Sequence, residues 1–317
     1  MNRDVDIAIR KNYFEDSILL VGEFELMGHN MNYVLRVTSF GTKSEKENNV
    51  QVYFGLLDDT ARDFIEKRYS YDGNKIRVEN EKLMIRADEV EINETIYGLK
   101  VFVKHEDITL DFLVENDGHR FEFHSLGKSN LNNRIDGYSY PYCTTRGTAL
   151  VGYNYREVEG QAFYVRRYQP HGGFFDRRLG QTAILRAGGE EKALRSLYGF
   201  FVLSNGRRLL FASYRNDREQ DDFCALSTVN GSEKIEIEPL LIAESDYGGE
   251  VGSSGKDITL RLRATQEDFA IKTRRDLEMS DEVSPEQKDF RMYDRFARLG
   301  GRFHGEKISG YGYMIYT

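Results

Sequence analysis

Apolar residues in this chain recur in short alternating runs, each closed by glycine, asparagine or aspartate, and that pattern admits few folds. The runs ILLVGEFEL (18–26), NYVLRVTSF (32–40), NVQVYFGLL (49–57) and KIRVEN (75–80) read as strands. So do LMIRADEVEI (83–92), LKVFVKH (99–105), ITLDFLVE (108–115) and FEFHS (121–125). Turn residues separate them at Gly73-Asn74, Asn93, Asp117-Gly118 and Gly127, and Asp-Gly between two strands signals a hairpin. The second half continues with YGFFVLS, RRLLFASYR, KIEIEPLLIAE, DITLRLRATQ and FAIKTRRDLEM. Helical signal is confined to two places. Asp58-Asp59-Thr60 is a cap for a short helix running through Glu66, and 188–200 holds one helix-like turn. Many evenly spaced strands with almost no helix predict an all-β chain built of antiparallel barrels or sandwiches.

With 317 residues, 40% of them hydrophobic and 13% aromatic, the chain can build one large β domain or two smaller ones. Its net charge of -8 argues against nucleic acid as a partner. Cys143 and Cys224 are far apart and no C-x-x-C occurs, so neither a zinc site nor a disulfide framework is expected. No stretch has the length or apolarity of a membrane span, and the first residues, MNRDVDIAIRKNYFED, lack the apolar core of a signal peptide. A cytoplasmic location is the expectation. Tryptophan is absent, so large ring surfaces come from 20 Phe and 20 Tyr, whose hydroxyls need partners when buried.

One internal repeat stands out. VEGQAFY (158–164) and ISGYGYM (308–314) share a branched aliphatic, a glycine, a small residue and an aromatic in the same order. Glycine inside a strand marks a bulge, a bend or the close approach of another backbone. Two copies about 150 residues apart predict two related β domains, 1–187 and 188–317, with GGEE (188–191) as the linker.

At these residues the chain resembles the carotenoid hydratase (hydroxyneurosporene synthase) and AttH-like family, with decalin-forming cyclases as more distant relatives in architecture. The family's G-T-x-x-x-x-G hairpin followed by V-x-G-x-A-aromatic is matched by GTALVGYNYREVEGQAF. Its aromatic strand, turn and second strand are matched by YGFFVLSNGRRLLFASYR (198–215), and its closing segment by GEKISGYGY (305–313). The resemblance spans roughly 135–317. It implies two lipocalin-like (calycin) barrels packed side by side, an apolar pocket, greasy polyene or terpenoid-like substrates, and no cofactor. The family often carries Asp-His and an aromatic after the V-x-G-x-A segment; here the run is Tyr164-Val165-Arg166-Arg167-Tyr168. Val165 cannot deliver a proton and arginine stays protonated, which weakens a hydration mechanism and leaves polarisation of a carbonyl by Arg166.

Among candidate site residues, Arg156, Arg166, Arg167, Arg177, Arg178 and Arg186 outnumber Glu157, Glu159 and Asp176 in one segment. As a group they read as surface strands and ion pairs. Alternation puts Arg166 and Arg167 on opposite faces, so Arg166, with Tyr164 and Tyr168, is open between pocket and surface. Tyr138, Tyr140 and Tyr142 alternate strictly and read as one stripe, either core or pocket lining. His171, in a loop five residues before Asp176, is a candidate acid–base group, and His124 in FEFHS is the next. Catalysis is therefore expected at Arg166, His171 and Asp176. Substrate binding is expected at Tyr138, Tyr140, Tyr164, Tyr168, His124 and Tyr198, with no metal. Two functions fit: a cofactor-independent cyclase or isomerase that holds a hydrophobic polyene, polyketide or terpenoid-like molecule in a reactive fold, and a non-catalytic carrier of an apolar ligand.

Overall fold

A computed structural model describes residues 13–40, 49–72, 76–79, 82–86, 89–116, 120–124, 136–170, 195–215, 220–226, 236–237, 240–242, 258–262, 267–273, 293–303 and 305–316. Every regular element among them is a strand, and all pairings are antiparallel. Two compact units are present, the first holding 1–124 and 133–171, the second 125–132 and 172–317. The boundary expected at 187 and 188 lies outside the described residues.

In the first unit the strands are β1 (Tyr13–Leu26), β2 (His29–Phe40), β3 (Asn49–Asp58), β4 (Asp63–Asp72), β5 (Ile76–Glu79) and β6 (Lys82–Arg86). They continue with β7 (Val90–Glu94), β8 (Leu99–His105), β9 (Ile108–Asn116), β10 (Phe121–His124), β11 (Asp136–Val151) and β12 (Asn154–Pro170). The sheet order is β4-β3-β2-β1-β12-β11-β9-β8-β7-β6-β5, with β10 paired to β11. The first strand pairs with the last, and the two edge strands are consecutive in sequence. Laid flat, eleven strands about 4.8 Å apart would hold the edges nearly 50 Å from each other. Residues 73–75 span about 15 Å at most, so the sheet has to curl. Contacts between non-adjacent strands show the curl: Phe24 and Tyr33 each lie 5.4 Å from Phe112 between ring centroids, and the Tyr33 and Thr145 hydroxyls share a 2.8 Å hydrogen bond. The expected all-β character is met, with a curled antiparallel sheet in the first unit and a second antiparallel sheet in the other; among the described residues the first unit's backbone ladder is open between β4 and β5.

The inner face carries Ile18, Leu20, Phe24, Tyr33, Leu35, Val52, Phe54, Val101, Val103, Leu110 and Phe112, all buried in one core. Around β1, β2 and β12 the opposite face is buried as well, at Leu19, Val21, Val34, Phe163 and Val165. That is why ILLV at 18–21 is apolar without alternation.

The second unit holds β13 (Arg195–Leu203), β14 (Arg208–Arg215), β15 (Gln220–Leu226), β16 (Glu236–Ile237), β17 (Leu240–Ile242), β18 (Ile258–Leu262), β19 (Glu267–Thr273), β20 (Tyr293–Phe303) and β21 (Glu306–Tyr316). Its order, β16-β15-β14-β13-β21-β20-β19-β18-β17, repeats the plan of the first, again pairing first strand to last. The sequence repeat marks this pairing. A Cβ on Gly160 would stand 1.8 Å from the Glu23 carbonyl oxygen, and one on Gly312 would stand 1.9 Å from that of Phe200. Opposite them, the Tyr33 ring lies over Gly22 and the Phe211 ring over Gly199. The close contact that matches Gly160 is thus at Gly312, two residues beyond the Gly310 that the sequence pattern aligned with it.

Several local expectations are corrected. Asp58 does cap, but it caps a turn that leads into strand β4, not a helix. Its Oδ1 accepts from the Thr60 and Ala61 amides at 2.9 and 2.8 Å, its Oδ2 accepts from His29 Nδ1 at 2.7 Å, and Arg62 at φ 62° ends the turn. The expected helical turn in 188–200 meets strand β13 from Arg195; its earlier residues lie outside those described. The run 83–92 is two strands, β6 and β7, paired antiparallel. The tyrosine stripe is broken, because the β11 register shifts between Tyr140 and Cys143. Pro141 has no amide to donate and fits such a bulge, and Cys143 takes the inward position that alternation had given to Tyr142.

Gly160→Ala is expected to lose more than about 3 kcal/mol of stability, since the added methyl has to part β1 from β12. Gly28→Ala, at φ 81° in a turn with open space around it, should lose about 1 kcal/mol. Urea unfolding of the two variants checks the difference.

Candidate functional site

Among the described residues, the inner face of the first unit carries a group of charge and phenol where β1, β12 and β11 meet. β1 and β12 run antiparallel with Ile18 opposite Arg166 and Leu20 opposite Tyr164. β12 and β11 place Tyr138 opposite Arg166 and Tyr140 opposite Tyr164. Alternation therefore sends Asp16, Arg166, Tyr164, Tyr138 and Tyr140 to the face that carries Ile18 and Leu20. Arg166 Nη2 donates to Asp16 Oδ2 at 2.6 Å, and the two side chains are only 3% and 1% exposed. Arg167, one residue on, points the other way, as alternation requires.

The three tyrosines pack as a cluster. Ring centroids lie 5.7 Å apart for Tyr138 and Tyr140, and 6.1 Å from Tyr164 to each of them. The Tyr164 hydroxyl shares hydrogen bonds with Tyr138 and with Arg166, which donates. Ser139, on the opposite face, fixes the strand pair by donating to the Tyr164 carbonyl at 3.0 Å. The Arg120 guanidinium lies 4.1 Å from the Tyr138 ring centroid, a close cation–π contact.

Burial alone would push the Arg166 proton off; the Asp16 carboxylate, aided by Tyr164 and Tyr138, more than offsets that and holds the guanidinium charged above the ordinary arginine range. Burial pushes the Tyr164 hydroxyl up, and Arg166 and Tyr138 pull it back only in part. At neutral pH the site thus presents a charged guanidinium paired to Asp16 and the protonated Tyr164 phenol. It can bind and polarise a carbonyl, enol or carboxylate oxygen, and none of these groups is a ready base.

Of the residues expected from sequence, Arg166, Tyr164, Tyr138 and Tyr140 are brought together. Tyr168 pairs through its backbone with Asp16 and Asp136, and His124 likewise with Asp136, at the same end of the sheet. Tyr198 belongs to the second unit, where it is buried on β13 opposite Ala212 and Ile315. His171 and Asp176 lie outside the described residues. Asp16 and Arg120 were not anticipated. Asp16 could have been found, because it is a charged residue in step with the apolar positions 18 and 20. Among the described residues no cluster of His, Cys, Asp and Glu has the makings of a metal site. No helix there is long and apolar enough to cross a membrane.

No protein-family model matches the chain, and no curated protein matches it by sequence. Solved structures do match its fold. A protein assigned as an AttH from Nitrosomonas europaea superposes with a TM-score of 0.71 at 13% identity, over 98% of this chain and 94% of that one. Kievitone hydratase from Nectria haematococca gives 0.68 at 12% identity, over 100% and 91%. CghA in complex with Sch210972 gives 0.51 at 8% identity, over 96% and 88%. The relationship read from the sequence motifs thus holds at the level of the fold.

Arg166→Met alone should cost about 3–5 kcal/mol, because Asp16 is left charged and buried. The double variant Asp16→Leu/Arg166→Met should return to within about 1 kcal/mol of the parent. With Asp16→Leu measured alongside, a double-variant loss equal to the sum of the two single-variant losses, read by urea unfolding, would show that the two side chains are not coupled.

Proposed function

We propose that the protein is a cofactor-independent cyclase or isomerase, pericyclase-like, acting on a hydrophobic polyene, polyketide or terpenoid-like small molecule. Both sheets are read as lipocalin-like barrels, and the inner face of the first unit is the reaction chamber. The observation that carries this reading is the Asp16–Arg166 pair with its three tyrosines, set into a mainly apolar inner face. Such a site holds one oxygen of a greasy molecule and lets the apolar wall fold the rest of it. Confinement of that kind lowers the barrier to ring closure by restricting orientation, and Arg166 with Tyr164 stabilises charge that develops on the held oxygen. His171 and Asp176, which come directly after β12 in the chain, are proposed to serve any proton transfer, and Tyr168 and His124 to complete the binding end. Neighbours in fold that are named as a hydratase, or solved with a small molecule bound, support an enzyme of this kind.

Carriage of an apolar ligand without chemistry is the second reading. It is favoured by one feature: the described site offers donors and a cation, while its one carboxylate is tied to Arg166.

A C20 polyene carboxylate such as retinoic acid serves as a probe. It should bind the parent protein at least tenfold more tightly than the corresponding alcohol, retinol, as read by quenching of tyrosine fluorescence. That preference should vanish in Asp16→Leu/Arg166→Met, whose fold is retained. Equal affinity of the parent for acid and alcohol would contradict the role given to Arg166. Chromatography coupled to mass spectrometry of polyene substrates before and after incubation separates enzyme from carrier: a new peak of unchanged mass and shifted retention supports the former.

A further inference from the structure

The backbone ladder of the first unit joins every pair of sequence-adjacent strands from β1 to β4 and from β5 to β9. Among the described residues it stops between β4 and β5. At that seam, again among the described residues, β4 bonds through its backbone to β3 alone. The Tyr69 side chain of β4 reaches past β5 and β6 to the β7–β8 pair instead. The Tyr69 hydroxyl, on β4, donates to the Glu89 carboxylate and meets His105 Nδ1 at 3.2 Å. Glu89 stands just before β7 and its carbonyl accepts the Lys104 amide at 2.8 Å, so Glu89 and His105 are held together at one end of the β7–β8 pair. His105 is 8% exposed, with Glu89 Oε2 at 3.5 Å from Nδ1 and Glu106 Oε1 at 3.8 Å from Nε2. Tyr71 stacks on Tyr69 at 6.0 Å, continuing the contact along β4.

We infer that Tyr69, Glu89 and His105 form a side-chain clasp that holds edge strand β4 against β7 and β8, and that the β4 seam is the gate through which a ligand reaches the interior. The boundaries between paired strands have to break a run of backbone hydrogen bonds to open. This seam, among the described residues, has to break the side-chain contacts of Tyr69. Burial, together with the Glu89 carboxylate beside it, pushes the Tyr69 hydroxyl far up, so it stays a donor throughout the working pH range. The gate rests on the reading that the interior takes a ligand; the clasp does not.

Hydrogen exchange of the full chain, without ligand, tests the clasp. Tyr69→Phe keeps the ring stack on Tyr71 and removes the hydroxyl, and His105→Gln removes the imidazole while keeping a polar side chain. Exchange across 63–72 should rise at least tenfold in Tyr69→Phe and to a lesser degree in His105→Gln, while 143–151 of β11 changes less than twofold. Unchanged exchange in 63–72, or an equal rise in β11, would overturn the clasp. The rate at which retinoic acid quenches tyrosine fluorescence tests the gate. It should rise at least fivefold in Tyr69→Phe, and an unchanged rate in a variant whose β4 exchanges faster would overturn the gate. A parent protein that takes up no polyene would count against the proposed function and the gate together, while the exchange result alone would still decide the clasp.

Discussion

The pairing of the first strand of a unit with its last is the constraint on which the rest depends. In the first unit it sets β1 against β12 over the whole stretch from Tyr13 to Phe24, and so brings together residues 150 apart in sequence. Loop-closure entropy grows only logarithmically with separation, so such a contact is tolerated once a long ladder supports it. The ladder needs the two backbones close, and Gly160 is where a side chain would keep them apart. The second unit meets the same demand with Gly312. The repeated glycine motif is therefore the signature of a closure made twice.

That closure also creates the candidate site. Asp16 enters the inner face from the start of β1 and Arg166 from the end of β12, and neither would be tolerated there alone. Together they form a buried ion pair, neutral overall, that holds guanidinium N–H groups as fixed donors in a low-dielectric interior, where a hydrogen bond to a ligand oxygen is stronger than in water. After the glycine motif of β12, Val165 faces away from this interior and Arg166 faces into it. Protonation of an alkene is poorly served by such a pair, and polarisation of an oxygen is well served.

Much of this was legible in the sequence, for identifiable reasons. Strand periodicity exposed most strands because, where burial is described, one face or the other is buried along them. Strand β4 was hidden because it is an edge strand, DFIEKRYSYD, polar at many positions and preceded by an aspartate that caps a turn as readily as a helix. The break in the tyrosine stripe was hidden in Pro141, whose missing amide suits a bulge that alternation alone does not foresee. The parity of Arg166 was readable, but which parity faced inward depended on Ile18 and Leu20 across the ladder. The step of Asp16 with Ile18 and Leu20 marks it as inward, but its partner lies 150 residues away, and the pairing itself has no local signal.

Photo-crosslinking tests the central claim most directly, namely that the Arg166 group holds the polar end of a hydrophobic molecule inside the first unit. A polyene carboxylate bearing a diazirine next to its carboxyl group would be bound, irradiated and mapped by peptide mass spectrometry. The account predicts adducts on 136–140 of β11 and 162–168 of β12, lost in Asp16→Leu/Arg166→Met. Adducts confined to other segments, or undiminished in that variant, would contradict it.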